Sequence, residues 1–108
     1  MTEHILNSLF KNLKIRKNFD TNKSYTAKLL GNPNLLAKKI GEESSELIID
    51  IVNNNKTGII NESSDLLYHL LVCWLSSGVE PDEIWEELSK RTLMSGIEEK
   101  KSRILENE

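Results

Sequence analysis

Cysteine is almost absent from this chain of 108 residues, which carries a single thiol at Cys73. One cysteine cannot form an internal disulfide. Cys73 lies within an apolar run, where a free cysteine usually acts as a small buried hydrophobe. We therefore expect it to have a packing role and not a chemical one.

Three other features are missing. No apolar run is long enough to span a bilayer, and the N-terminus has no basic, apolar, cleavable pattern. We therefore expect a cytoplasmic protein with no membrane partner. The net charge of -3 and the pI near 5.5 argue against a nucleic-acid partner, since proteins that bind nucleic acids usually present a basic face. There is also no Gly-rich phosphate loop of the Walker type, so any phosphate site must depend on a metal and on basic side chains.

Apolar residues recur at helical spacing along most of the chain, and the few prolines and glycines mark helix ends. Asn32 and Pro33 form a strong helix start, as does Pro81, while Gly31 and Gly78 end two helices. The pattern predicts one all-α domain over residues 1–108, a bundle of four or five helices. The predicted helices cover residues 2–17, 25–30, 33–53 and 59–77, followed by a helix that starts at Pro81. Ser24 is the predicted cap of the second helix, and residues 53–58 form a predicted loop. A terminal helix is predicted from a capping box at 95–98 to Arg103.

Two acidic pairs lie on the two most apolar of these helices. Glu43 and Glu46 are three residues apart, as are Glu62 and Asp65, so each pair shares one helical face. A short connection makes the helices antiparallel neighbours, so the two acidic faces can oppose each other. Four clustered carboxylates repel one another unless a cation lies between them, and hard oxygen ligands suit Mg²⁺ or Mn²⁺ better than zinc.

Each of these features also has a simpler interpretation. An acidic helix face is usually solvated surface, but both helices are so apolar that the pattern predicts them to be largely buried. His69, on the face of Glu62 and Asp65, is either a site residue or a hydrogen-bonded, half-buried histidine. Basic candidates for phosphate contacts are Lys38, Lys39, Lys90 and Arg91, each of which can equally be surface charge. The tryptophans, Trp74 and Trp85, are core or subunit-interface residues first.

Three runs of residues resemble the phosphoribosyl-ATP pyrophosphatase family, which belongs to the all-α, MazG-type nucleotide pyrophosphatases. They are residues 24–30 (Ser-Tyr-Thr-Ala-Lys-Leu-Leu), 39–46 (Lys-Ile-Gly-Glu-Glu-Ser-Ser-Glu) and 62–72 (Glu-Ser-Ser-Asp-Leu-Leu-Tyr-His-Leu-Leu-Val). The acidic pattern marks only the wider superfamily. The first and third runs point to the particular family.

The resemblance implies Mg²⁺-dependent hydrolysis of phosphoribosyl-ATP, a small nucleotide, to phosphoribosyl-AMP and pyrophosphate, the second step of histidine biosynthesis. By motif position, Glu43, Glu46, Glu62 and Asp65 become the catalytic metal ligands. Residues expected at the substrate site are Lys38, Lys39, Glu42, His69 and Arg91. The family is dimeric, which fits the excess of apolar surface on the central helices, around Ile48, Ile49, Val52 and Trp74.

The chain departs from the family pattern in two places. Ser44–Ser45 and Ser63–Ser64 stand where small apolar residues are commoner, and Glu80 replaces a better N-cap. Two alternatives stay open at this point. One is a housecleaning pyrophosphatase for noncanonical nucleoside triphosphates with the same acidic motif. The other is a non-enzymatic helical module whose acidic groove binds a basic partner.

Overall fold

A computed structural model describes residues 4–92 and 96–106 of the chain, and this part is helical without a strand. The all-α prediction is confirmed. The starting point of the predicted first helix, at residue 2, and the proposed cap Ser95 lie outside the described residues. The described helices are α1 (Ile5–Arg16), α2 (Tyr25–Leu30), α3 (Pro33–Val52), α4 (Lys56–Ser77), α5 (Pro81–Thr92) and α6 (Gly96–Glu106).

Side-chain caps and glycines define the helix ends as the sequence predicts. The Ser24 hydroxyl accepts a hydrogen bond from the Ala27 amide at 3.2 Å, and Asn32 Oδ1 accepts one from the Leu35 amide at 3.1 Å. Each bond satisfies an amide that has no partner within the first turn of its helix. Gly78 ends α4 with a φ of 72°, in the left-handed region that glycine adopts without strain.

The predicted loop at residues 53–58 is wrong in its second half, because α4 begins at Lys56 and not at Ile59. The Asn55 side chain caps the helix by accepting from the Gly58 amide at 3.0 Å. Gly58 therefore belongs to a helix and not to a turn. A Cβ at this position would lie 2.5 Å from the Asp50 carboxylate, so the missing side chain lets α3 and α4 approach closely.

Four helices contribute to one hydrophobic core, and a fifth packs against it. The buried apolar residues are Phe10, Leu13, Leu29, Leu36, Leu71 and Val72, with Cys73 partly buried against them. The α5 helix joins through Trp85, whose ring meets that of Trp74 edge-on at 5.9 Å between centroids. The bundle of α1 to α5 thus matches the predicted helix number, and Cys73 has the packing environment expected of it.

The outer side of α3 differs from the expectation of a largely buried helix. Within one chain α3 buries Leu36, whereas Ile48 and Val52 are 60% and 74% exposed. Ile49 and Ile51 are exposed beside them, as are Ile60 and Leu67 on α4. We refer to these six residues as the outer apolar face. In the described residues, no helix has the length and apolarity needed to cross a membrane.

The serines that depart from the family pattern have partners inside their own helices. Ser44 donates to the Ile40 carbonyl and Ser64 to the Ile60 carbonyl, both at 2.8 Å. Such bonds to the preceding turn let a hydroxyl lie on a helix without an unsatisfied group. Glu80 is also more than a weak cap. Its amide donates to the Glu83 carboxylate at 2.8 Å, and its carboxylate lies 3.2 Å from Lys14 Nζ on α1.

Replacing Asn55 by alanine tests the corrected start of α4. The change Asn55→Ala removes the cap, and we expect the free energy of unfolding to fall by about 1 kcal/mol. For a small domain this lowers the melting temperature by roughly 4–8 °C.

Asn61→Ala is the matched control, because Asn61 is exposed in the interior of the same helix. Alanine is the better helix former there, so this variant should unfold at the parent temperature or slightly above it. Equal melting of parent and Asn55→Ala in thermal denaturation would contradict the assigned cap.

Candidate active site

The register between α3 and α4 brings the two acidic pairs together. Asp50 faces Gly58 near the connection, and one turn further from it Glu46 lies beside Glu62. Another turn along, Glu43 meets Glu62 and Asp65. Residue numbers that rise on one helix and fall on the other define antiparallel neighbours. The predicted antiparallel arrangement, with opposed acidic faces, is therefore confirmed.

Glu62 is the centre of this carboxylate cluster, which we define as Glu43, Glu46, Glu62 and Asp65. Oxygens of Glu43, Glu62 and Asp65 all lie within 4.8 Å of one another. Glu46 borders the group through its contact with Glu62. One oxygen of Glu62, Oε2, is buried without a hydrogen-bond partner among the described residues. A buried carboxylate oxygen without a donor is costly, and a bound cation would offset that cost.

The proximity of these acids alters their protonation. A hydrogen bond shared with Glu43, together with lost hydration, raises the pKa of the Glu62 carboxyl above its ordinary value. The hydrogen bond with Glu62 and the repulsion from its charge raise the pKa of Glu46 in the same way. Both shifts mean that the crowded carboxyls oppose full ionisation of the cluster. A divalent cation would offset the crowded negative charge, and an all-oxygen donor set suits Mg²⁺ or Mn²⁺.

The predicted basic residues of α3 are paired with a neighbouring acid and not with the cluster. Lys39 Nζ lies 3.3 Å from Glu42, and Lys38 Nζ lies 3.9 Å from the other oxygen of the same carboxylate. The hydrogen bond with Glu42 raises the pKa of Lys39, with Tyr25 and Glu43 adding to the effect. Lys39 thus borders the cluster, and its ion pair with Glu42 positions it there.

His69 is 5% exposed, and both of its ring nitrogens have partners. Nδ1 lies 2.8 Å from the Asp65 carbonyl oxygen, which can only accept, so Nδ1 carries the proton. In the neutral ring, Nε2 then accepts from the Tyr25 hydroxyl at 3.3 Å. The structure therefore places His69 beside the cluster as a buried, hydrogen-bonded residue, the simpler of the two interpretations of the sequence.

Arg91 lies apart from the other predicted site residues. It belongs to the last turn of α5, where its Nε is 3.2 Å from Glu87 on the same helix. The α5 helix contacts α1 through Trp85–Asn7 and the C-terminal half of α4 through Trp85–Trp74, and Glu80, just before α5, pairs with Lys14 of α1. The carboxylate cluster lies toward the other end of α4.

Tyr25 is a neighbour of the cluster that motif reasoning left without a role. Its ring is stacked near Tyr68 at 6.3 Å and meets His69 edge-on at 6.0 Å, while 46% of the residue stays exposed. Partial burial raises the pKa of its hydroxyl, Lys39 opposes that rise, and Glu43 adds to it. The sequence feature that could have marked Tyr25 as a site residue is its position directly after the capping residue Ser24, in a run that carries the family resemblance.

The described part of the chain is thus an all-α bundle in which two antiparallel helices oppose their acidic pairs. Sequence comparison shows the family to which the chain belongs. The chain belongs to the phosphoribosyl-ATP pyrophosphohydrolase family, whose model matches residues 6–92. This span contains α1 to α5 and every residue of the carboxylate cluster.

Curated relatives support the same family. A protein of Paramagnetospirillum magneticum is 47% identical over 100 residues, which cover 92% of each chain. One of Azospirillum brasilense is 43% identical over 92% of this chain and 90% of its own, and one of Gluconobacter oxydans is 41% identical over 94% and 77%. All three are named phosphoribosyl-ATP pyrophosphatase. The resemblance inferred from the three sequence runs is confirmed.

The raised pKa of Glu46 gives a prediction for metal-free protein. A carboxyl with a raised pKa binds its proton more tightly in the folded state than in the unfolded state. Its ionisation therefore lowers the free energy of unfolding as pH rises from near 4.5 through the raised pKa. Glu46→Gln cannot ionise, so its stability relative to the parent should increase across this range. At neutral pH it should melt at or above the parent temperature in chelator.

Glu86→Gln is the control, because it removes one exposed carboxylate of α5 and should not alter the pH dependence. Thermal melts between about pH 4 and 8 measure all three proteins. If Glu46→Gln melts well below the parent at neutral pH, Glu46 is a hydrogen-bond acceptor that the fold needs, and repulsion in the cluster is not the dominant effect.

Proposed function

We propose that this protein hydrolyses phosphoribosyl-ATP to phosphoribosyl-AMP and pyrophosphate, the second step of histidine biosynthesis. The observation that carries the proposal is the carboxylate cluster. It occurs in a chain that aligns over most of its length with relatives named phosphoribosyl-ATP pyrophosphatase. The bond cleaved is the α–β phosphoanhydride, because pyrophosphate leaves intact. The names of the relatives favour this substrate over a housecleaning role on nucleoside triphosphates.

Glu43, Glu46, Glu62 and Asp65 hold the metal in this proposal, and the unpartnered oxygen of Glu62 supports the assignment. When bound, Mg²⁺ polarises the phosphoanhydride, lowers the pKa of a water and offsets the charge of the leaving pyrophosphate. Lys39 is the nearest basic residue of α3, and its ion pair with Glu42 keeps its charge beside the cluster. Lys39 is therefore our candidate for a phosphate contact at the cluster, ahead of Lys38 and Arg91.

The product and its metal requirement give a direct test. With Mg²⁺ we expect pyrophosphate as the first phosphorus product from phosphoribosyl-ATP, and with chelator we expect no turnover. Phosphorus NMR of the reaction distinguishes pyrophosphate from phosphate, and Glu62→Gln should lose at least about 100-fold in kcat because a central ligand is gone. Inorganic phosphate as the first product would contradict the assigned bond. Faster turnover of a nucleoside triphosphate from a matched panel would favour the housecleaning alternative.

The protein acts as a homodimer in our proposal, with the outer apolar face as the interface. Exposed apolar surface of this extent usually marks an interaction site. Gly41, Ser45, Ile48 and Val52 follow one another at intervals of four, three and four residues, so they line one side of α3. Apart from its chain neighbours and the adjoining backbone of α3, no described atom lies within 4 Å of a Cβ built on Gly41, so a second helix can approach there. Trp74, by contrast, packs against Trp85 in its own chain.

A charge placed on this face tests the dimer. Light scattering should give about twice the 12.4 kDa chain mass for the parent at micromolar concentration. Ile48→Asp should be a monomer, because its carboxylate would be buried without a partner. Ile15→Asp is the control, since Ile15 is equally exposed but lies on α1. A monomeric parent, or dissociation by both changes alike, would contradict the assigned interface.

A further inference from the structure

A cleft beside α2 carries positive charge that the carboxylate cluster does not use. Its volume is about 450 Å³, and its lining residues are Thr21, Asn22, Lys23, Ser24, Tyr25 and Lys28. An adjoining cleft of about 310 Å³ shares Lys23, Ser24 and Tyr25 and extends to Arg16. Clefts of this size suit a small molecule or one end of it.

The charge of this cleft is of one sign. Within residues 4–92 and 96–106, neither Lys23 nor Lys28 has an ion-pair partner. The nearby Asp20 does not line the cleft, and its Oδ1 accepts from the Asn22 amide at 2.9 Å. The cleft between α1 and α5 is different, because there Lys14 is paired with Glu80. Two lysines without acids in a concave surface favour an anionic ligand.

Tyr25 connects this cleft with the carboxylate cluster. Lys28 follows it by three residues on α2, so both side chains lie on one face of that helix. Its hydroxyl bonds to His69, which donates to the carbonyl of the cluster residue Asp65. Tyr25 therefore lines the cleft with the two lysines, which suit a second anion, and is linked through His69 to a cluster suited to a metal-bound polyphosphate.

We propose that Lys23 and Lys28 bind the phosphomonoester of the phosphoribosyl group, with Tyr25 contacting the nucleoside between the two ends of the substrate. This inference rests on the proposed function. Phosphoribosyl-ATP has two anionic ends, the triphosphate and the phosphate of its added ribose, whereas ATP has only the first. A lysine pair at the second position thus distinguishes the substrate from ATP, since each ammonium makes charge-assisted hydrogen bonds to phosphate oxygens.

The test measures binding without catalysis. In chelator, titration calorimetry compares phosphoribosyl-AMP with AMP, two ligands that differ only in the phosphoribosyl group. The parent should bind phosphoribosyl-AMP at least about tenfold more tightly, which is the effect of one hydrogen bond to a charged group. In the double variant Lys23→Gln/Lys28→Gln this preference should fall to about twofold or less. Lys56→Gln, an exposed lysine at the start of α4, should keep it.

Steady-state kinetics adds a second readout. The double variant should raise KM for phosphoribosyl-ATP about tenfold or more and keep kcat within about twofold, with inhibition by pyrophosphate unchanged. Equal weakening of pyrophosphate inhibition would overturn the proposal, because it would mean general attraction of anions. A parent that binds AMP and phosphoribosyl-AMP alike, or a double variant that keeps the preference, would overturn it too. A parent that turns over no phosphoribosyl-ATP would instead contradict the proposed function.

Discussion

Repulsion among the carboxylates of α3 and α4 is the constraint on which the rest of this structure depends. Two helices that oppose their acidic faces would separate if nothing else held them together. Here the connection is only three residues long, and Gly58 lets α4 lie directly against Asp50. The Asn55 amide also lies 3.4 Å from the Asp50 carboxylate and links the two helices at their turn. The hairpin therefore keeps the acids close at one end, while the core holds α4 at the other.

Hydrogen bonds of the aromatic residues beside the cluster attach α2 to α4. Thr26 and Tyr68 share a hydrogen bond of 2.6 Å, which joins α2 to α4. Tyr25 and His69 form a second link between the same helices at 3.3 Å. Because His69 also binds the Asp65 carbonyl, α2 is attached at the level of the acids. The short α2, with only six residues, owes its position to these polar contacts as well as to Leu29 in the core.

Sequence reasoning succeeds where a local rule decides the outcome. The spacing of Glu43 and Glu46, and of Glu62 and Asp65, follows from the helical period, and the short connection makes the two pairs opposed. It fails where a tertiary contact decides. The sequence predicts Gly58 to be a turn residue, but in the structure it is helical, and the Asp50 carboxylate occupies the space that a side chain at this position would need. Tyr25 has no sequence pattern that assigns it a neighbour, since His69 is 44 residues away. The outer face of α3 looks like core because periodicity cannot distinguish a surface covered by the same chain from one that is exposed.

The three-residue connection between α3 and α4 also limits how this chain can change length. One residue added inside a helix turns everything beyond it by about 100°, which would carry Glu62 and Asp65 away from α3. Insertions are usually best tolerated in exposed loops, and residues 53–55 are exposed. In this protein that surface turn sets the alignment of the acids, so it is a poor place for an insertion. Fusions, tags and permuted termini are better placed after α5. The polar segment between α1 and α2 is suitable only if its lysines are kept.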